Sequence, residues 1–275
     1  TSSMDTRAGV GVSPTLAAIR SRGAVRAAVS RGILGLSHPD DSGTWRGLDV
    51  EVARAVAAAA LDDGARVEFV PVDPAHRLPA LVAGEVDIVT ANLTASLPRE
   101  ADHPVIFAGI TCYDGEGLMV RADDPARVPA DLAGRPVAIQ AGTTSAGNLA
   151  RYLGSRGLTA CPVSYPTPEQ ARIAYESGEC AAYLLDRTAL AGERAMLRDP
   201  DAHRLLDETI SREPMAMAVR DDDPTWARLC RWVLQLLINL EYVRRTSQTD
   251  DGTEPRVEFA AAVGRHGPGL GVDVR

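Results

Sequence analysis

Three short stretches of the chain group donors and charges where a small ionic molecule could sit. In VAIQAGTTSAGNLA an apolar run ends at Gly142, and Thr143, Thr144 and Ser145 open the next segment. A helix starting there leaves its first backbone N–H groups without partners, and its dipole favours an anion. Gly142 permits a tight turn, and the hydroxyls add donors. Plain helix capping by Thr or Ser accounts for the same residues. In VTANLTASLPRE, Asn92, Thr94 and Ser96 lead to Arg99. A guanidinium can hold a carboxylate through two parallel hydrogen bonds. A surface pairing of Arg99 with Glu100 or Asp102 is the alternative. In AAYLLDRTALA, Asp186 ends an apolar run, where a lone carboxylate is costly unless a cation or donors meet it. Capping of the helix TALAGER would also use it. Taken together, the three stretches suit a zwitterion. Its carboxylate would meet Arg99, Thr94 and the Thr144 turn, and its ammonium would meet Asp186.

The surrounding pattern says what must position these residues. AVRAAVS (24–30), VEFVPV (67–72) and residues 86–90 read as strands. GLDVEVARAVAAAAL places Val52, Val56 and Ala59 on one helical stripe. VIFAGITCYDGEGLMVR reads as one long extended segment. Strand, Gly turn and helix come next through PVAIQAGTTSAGNLARYLG, then further strand–helix units to residue 195. EPMAMAVR (213–220) is a returning strand. The last helix, TWARLCRWVLQLLINLEYVRR, turns Trp226, Leu229, Val233, Leu236, Leu237 and Leu240 to one side. Alternating strands and helices predict parallel sheets with helical crossovers. The expected class is α/β in two lobes. Residues 15–119 and 215–275 form lobe 1, residues 120–214 form lobe 2, and 1–14 are an N-terminal extension. Two strands cross between the lobes and make a hinge. Ligands in such sheets bind at the carboxyl ends of strands, which here means the cleft between lobes.

Composition excludes several functions. The 275 residues carry a formal net charge of −8, which argues against a nucleic-acid partner. No apolar run approaches the roughly 20 residues that span a bilayer. All 29 basic residues are arginine, so Schiff-base chemistry on a lysine is excluded. None of Cys112, Cys161, Cys180 and Cys230 forms a C-x-x-C pair, so no zinc or redox motif is expected. Cys112 and Cys230 read as buried thiols, while Cys161 and Cys180 could pair if geometry allows. No metal or organic cofactor is implied.

Matches in order along residues 15 to 245 resemble the periplasmic solute-binding proteins for polar amino acids, the capture components of ABC importers. They run PDDSGTWRGLDVEVARAVAAA, VEFVPV, LVAGEVDIVTANLT, SLPRE, YDGEGLMV, VAIQAGTTSAGNLA, YESGECAAYLLDRTAL, ISREPMAMAVR and WARLCRWVL. The general L-amino-acid branch is the nearest in pattern. The resemblance implies a type II, Venus-flytrap architecture that closes on its ligand. It implies Arg99, Thr94, Thr144 and Asp186 as readers of the amino-acid head, with Asn92, Thr143, Leu36 and Tyr113 beside the ligand. A monomer and an ABC permease partner are further expectations. The chain departs from that branch at Leu36, usually aromatic, at Ala91 and Ala95, usually Arg and Trp, and at Cys112, usually Tyr. Ala138 stands where a cysteine is common. Head-group recognition is thus kept while the side-chain walls differ.

Two functions suit this scaffold. A binder needs only closure. An enzyme, as in the related cyclohexadienyl dehydratases, needs a general acid in a closed cleft. His38, Glu116 and Glu100 are the candidates for that acid. TSSMDTRAGVGVSPTLAAIRSRG shows no basic and apolar leader. An extracytoplasmic binder whose signal or anchor has been removed, or a cytoplasmic protein starting near Met4, are the two expectations.

Overall fold

The computed structural model describes residues 13–246, with side chains to 242. Most of the expected N-terminal extension, Met4 included, lies outside the described residues, as does the stretch 247–275. The chain begins with α1 (Pro14–Arg22), β1 (Val25–Val29) and a small ribbon of β2 (His38–Pro39) and β3 (Trp45–Arg46). It continues through α2 (Leu48–Leu61), β4 (Val67–Pro71), α3 (Arg77–Val82), β5 (Ile88–Val89), α4 (Leu97–Asp102) and β6 (Val105–Asp114). The second part holds β7 (Glu116–Arg121), β8 (Pro136–Gln140), α5 (Ser145–Gly154), β9 (Cys161–Tyr165), α6 (Pro168–Glu176), β10 (Ala182–Asp186), α7 (Arg187–Ala195) and β11 (His203–Leu205). The returning β12 (Glu213–Arg220) and the long α8 (Pro224–Thr246) complete the described chain.

Two five-stranded sheets result, in the orders β4-β1-β5-β12-β6 and β11-β7-β10-β8-β9. Both are mixed, which corrects the expectation of parallel sheets. β4, β1 and β5 run parallel, but β12 is antiparallel to β5 and β6. β8 pairs in parallel with β9 and β10, while β7 is antiparallel to β10 and β11. The cause is the crossing itself. A strand that returns from the other lobe enters its sheet from the opposite end. The predicted long segment is therefore broken at Gly115 into β6 and β7, which belong to different sheets. A boundary at 119/120 would cut β7, whose partners all lie in the second sheet. The crossings fall at Gly115 and just before Glu213.

Each sheet is covered on both faces. The predicted α2 stripe is buried, with Val52, Val56 and Ala59 packing with Trp226, Leu229 and Val233 of α8. Leu236, Leu237 and Leu240, further along α8, are only half-buried. Trp226 is 1% exposed, and its indole N–H donates to the Asp87 carbonyl at 3.1 Å. Asp223 fastens α8 to α1, accepting from the Ser13 hydroxyl at 2.7 Å and the Thr15 amide at 2.9 Å. All four cysteines are free thiols. Cys161 opens β9, and Cys180 precedes β10 on the other side of β8. Cys230 is buried as expected, but Cys112 is only half-buried.

One loop crosses between the cores. Ile33 and Leu36 come after β1 of the first sheet, yet both pack into the second lobe with Met119, Tyr183, Leu185 and Leu190. The ribbon and this loop carried no helical or alternating pattern long enough to be read in the sequence.

Candidate functional site

Residues from both lobes line one cleft of about 510 Å³, counted to its open mouth. Arg99, Thr94 and Asn92 come from the first lobe, and Thr143, Thr144 and Asp186 from the second. Six of the eight expected ligand contacts therefore meet at one place. Leu36 and Tyr113 do not. Leu36 is 2% exposed inside an apolar cluster, and Arg31 and Ile33 are the residues of that loop that line the cleft. Tyr113 is 84% exposed on β6, outside the cleft wall. Of the candidate acids, His38 lies in the β2–β3 ribbon and Glu100 is exposed on α4, both outside the cleft wall. Glu116 does border it.

The Asn92 turn shows how the first lobe prepares its side. Asn92 sits in the left-handed region with φ 47°, which Asn tolerates better than most residues. Arg77 grips it from one side, donating through Nη1 to the carbonyls of Ala91 at 3.0 Å and Asn92 at 2.8 Å. Asp49 accepts the Asn92 amide at 2.9 Å from the other. Thus held, the Asn92 carboxamide reaches across and donates to Asp186 Oδ2 at 2.9 Å. Arg77 and Asp49 were not singled out from the sequence. The signals present were an arginine heading the apolar helix RLPALV and an acid in the first turn of α2.

Burial governs the charges here. It pushes the Asp49 carboxyl up to about 8 against the Asn92 hydrogen bond and the Arg77 charge. It brings the Arg77 guanidinium down to about 9, assisted by the like charge of Arg99. Arg99 is lowered for the same first reason, opposed by Glu213 and Asp186. Its Nη1 donates to the Thr94 carbonyl at 2.7 Å, which fixes the guanidinium beside the cleft. The Thr94 hydroxyl meets Met215 Sδ at 3.7 Å.

In the second lobe, Gly142 has φ 75°, and a Cβ there would lie 2.7 Å from the Ala75 amide nitrogen of the other lobe. Only glycine suits both the turn and that approach. The Thr143 hydroxyl donates to the Gln140 carbonyl at 2.7 Å, while Thr144 caps α5 without a side-chain hydrogen bond. The Ser145 amide, the first of α5, donates to the Thr143 hydroxyl oxygen at 3.3 Å, and this N-terminal turn, Thr143 to Ser145, lines the cleft. Asp186 is 8% exposed, and among the described residues its carboxylate accepts only the Asn92 hydrogen bond. Burial, then the neighbouring Glu116, Glu213 and Asp114, raise its carboxyl well above the usual range.

Behind Asp186 lies a network that sequence reasoning did not assemble. Glu116 accepts a very short hydrogen bond from the Ser145 hydroxyl and one of 2.8 Å from Asn148 Nδ2. Asn148 Nδ2 also donates to Glu213 Oε1 at 2.7 Å, and Ser211 donates to the same oxygen at 2.7 Å. Burial pushes the Glu116 carboxyl up to about 7, with Glu213 adding and Ser145 and Asn148 opposing. No cluster of His, Cys, Asp and Glu able to hold a metal occurs among the described residues.

Two α/β lobes joined by two crossing strands over a charged cleft define a two-lobed binding protein of Venus-flytrap type. Residues 25–247 match the family of bacterial extracellular solute-binding proteins, family 3, and the chain belongs to that family. It is 36% identical over 227 residues to the general L-amino acid-binding periplasmic protein AapJ of Rhizobium johnstonii, covering 82% of this chain and 67% of the relative. It is 33% identical over 234 residues to the glutamate/glutamine/aspartate/asparagine-binding protein BztA of Rhodobacter capsulatus, covering 85% and 69%. Among solved structures, a periplasmic binding protein of an ABC transporter from Brucella ovis with glutathione bound superposes with a TM-score of 0.85. Its identity is 35%, over 94% of this chain and 84% of that one.

Proposed function

We propose that the protein captures an amino acid, or a ligand with an amino-acid head, between its lobes for an ABC permease outside the cytoplasm. Arg99 and the N-terminus of α5 at Thr143 and Thr144 receive the carboxylate, with Thr94 beside them. Asp186 receives the ammonium. The observation that carries this reading is Asp186 itself. It is a carboxylate nine-tenths buried in the cleft wall with a single hydrogen-bond donor among the described residues. Such a group is costly to ionise until a cation meets it. The relatives named for general L-amino acids and for glutamate, glutamine, aspartate and asparagine favour the same ligand class. The working place is extracytoplasmic, which the family's extracellular description and the periplasmic name of the general L-amino acid-binding relative favour, and the partner is a permease. The protein acts as a monomer.

Of the enzyme candidates only Glu116 borders the cleft, and both its oxygens already hold donors from α5. Binding without chemistry is therefore the better supported reading. The test is thermal denaturation against the amino acids, extended to prephenate and arogenate, with bound ligand recovered and weighed. A ligand that binds only the folded state raises the midpoint with its concentration. A large shift with an ordinary amino acid that returns unaltered, lost in Arg99→Ala, supports the proposal. A ligand returned altered, or an unchanged affinity in Arg99→Ala, overturns it.

A further inference from the structure

The two crossings are tied to each other by buried acids that ligand capture leaves without a task. Glu116 opens β7 and is 2% exposed; Glu213 opens β12 and is 3% exposed. Asn148 Nδ2 donates to Glu116 Oε2 at 2.8 Å and to Glu213 Oε1 at 2.7 Å, so the two carboxylates meet on one nitrogen. Ser211 makes a second tie. Its hydroxyl oxygen accepts the Glu116 amide at 3.2 Å and donates to Glu213 Oε1 at 2.7 Å. The partners belong to different lobes. α5 carries Asn148 and packs through Leu149 and Leu153 into the second core, whereas Glu213 pairs with Asp114 of β6 in the first sheet. The lobes are together in this arrangement, since Asn92 donates to Asp186 across the cleft. The bond from Asn148 to Glu213 is therefore an interlobe bond at the crossing strands.

We propose that Glu116 and Glu213 share one proton as a pH-sensitive latch on the hinge: with the proton the lobes stay closed, and without it they open. The latch deepens the capture reading above and rests on it where ligand release is concerned. Two carboxylates drawn to one carboxamide in a buried site repel each other when both are ionised. Neither is hydrogen-bonded by a basic side chain among the described residues. A proton on Glu116 removes the repulsion, and its O–H then donates to the Ser145 hydroxyl, which donates to the ionised form. Rotation of the lobes draws Glu213 away from Asn148 and Glu116 and admits water. The open form therefore holds the proton less tightly, and by linkage the closed form weakens as pH rises. Glu116 is faced by Ser145, Asn148 and Arg151 of α5, by Glu213 of β12 and by Asp186 of β10. Arg99 of α4 faces Glu213. Asp114, opposite Glu213, accepts the Gly115 and Thr188 amides, and Arg187 of α7 donates to the Leu206 and Asp207 carbonyls. Burial first, then Glu213, pushes the Glu116 carboxyl up to about 7, which puts the latch in the neutral range.

The test is the rate at which bound ligand leaves, because release requires opening. Radiolabelled L-glutamine, whose side chain does not titrate, is chased from the full chain by unlabelled glutamine at several pH values between about 6 and 8. If glutamine does not bind, the amino acid that raises the melting midpoint most takes its place. Asp186 is already paired with the ligand ammonium in the complex, so its own titration does not enter the release rate. The expected result is a rate that rises about tenfold over this range in the parent. It should stay slow and level in Glu116→Gln, which keeps the shape and an acceptor but loses the charge, and likewise in Glu213→Gln. A level rate in the parent, or an equal rise in both variants, overturns the latch and leaves the head-group reading standing. If no amino acid binds, the head-group reading falls, and the latch is judged on the ligand-free chain by small-angle scattering. A radius of gyration that grows with pH in the parent and not in Glu116→Gln then supports it, and the same course in both removes it.

Discussion

Glu116 and Glu213 share one donor. Asn148 Nδ2 lies 2.8 Å from the first and 2.7 Å from the second, and its Oδ1 accepts from Arg151 at 2.9 Å. Glu116 opens the outgoing crossing strand β7, and Glu213 opens the returning β12. A single carboxamide on α5, the helix whose N-terminus borders the cleft, therefore ties both crossing strands together.

Asn148→Ala should leave two buried carboxylates without their common donor. A loss of about 2–4 kcal/mol is expected, seen as a melting temperature lower by roughly 4–12 °C. Equal melting of variant and parent would show that the bridge adds nothing.

The ligand-free protein should lose stability as pH rises from about 5 to 8. Glu116 titrates near 7 in the folded chain against a usual 4.5, and Asp49 near 8 against 3.8. Between those values the folded state holds more protons than the unfolded one, so raising pH favours unfolding. The groups facing Glu116 are Ser145, Asn148 and Arg151 of α5, Glu213 of β12 and Asp186 of β10. Its share is on the order of 3 kcal/mol. Urea midpoints at pH 5, 6, 7 and 8 should fall accordingly, and the slope should flatten in Glu116→Gln. Midpoints that climb over this range would contradict the sign.

Asp186→Asn keeps an acceptor for Asn92 but removes a buried charge that has one donor. At pH 8 the ligand-free variant should melt higher by about 2–6 °C, while the shift on adding amino acid disappears. A variant that melts lower than the parent would refute the cost assigned to this carboxylate.

Gly192 lies in α7, and a Cβ there would come 2.2 Å from the Leu34 carbonyl of the other lobe. Gly192→Ala should help the helix by up to about 1 kcal/mol yet hold the lobes apart. The expected outcome is lower melting, because the overlap falls on the backbone between the buried Ile33 and Leu36, at least tenfold weaker ligand binding, and a larger radius of gyration with ligand by small-angle scattering. Normal affinity and compaction would mean that closure does not need this approach.

Much of the frame was legible in the chain. The α2 and α8 stripes and the strand 213–220 were readable because a buried face imposes a period of 3.6 or 2 on apolar residues. Arg99, Thr94, Thr144 and Asp186 were readable because hydroxyls and charges at the ends of apolar runs are unusual and cluster at strand ends. The break at Gly115 was not, because an extended segment looks the same whether it continues one sheet or enters another. Leu36 and Tyr113 were misplaced for a related reason. Residue type does not say whether a loop side chain faces a cleft, a neighbouring lobe or solvent.

The amino-acid sequence by itself determined two α/β lobes, a crossing hinge and which charged and hydroxyl residues stand at strand ends, since these rest on periodicity and local residue type. Only the tertiary structure decided that Arg77 and Asp49 clamp the Asn92 turn and that Asn148 joins Glu116 to Glu213. Those relations join residues far apart in the chain, 65 positions between Asn148 and Glu213. No local pattern records them. They exist because two sheets with separate cores close on each other, and burial there sets which polar groups must find partners.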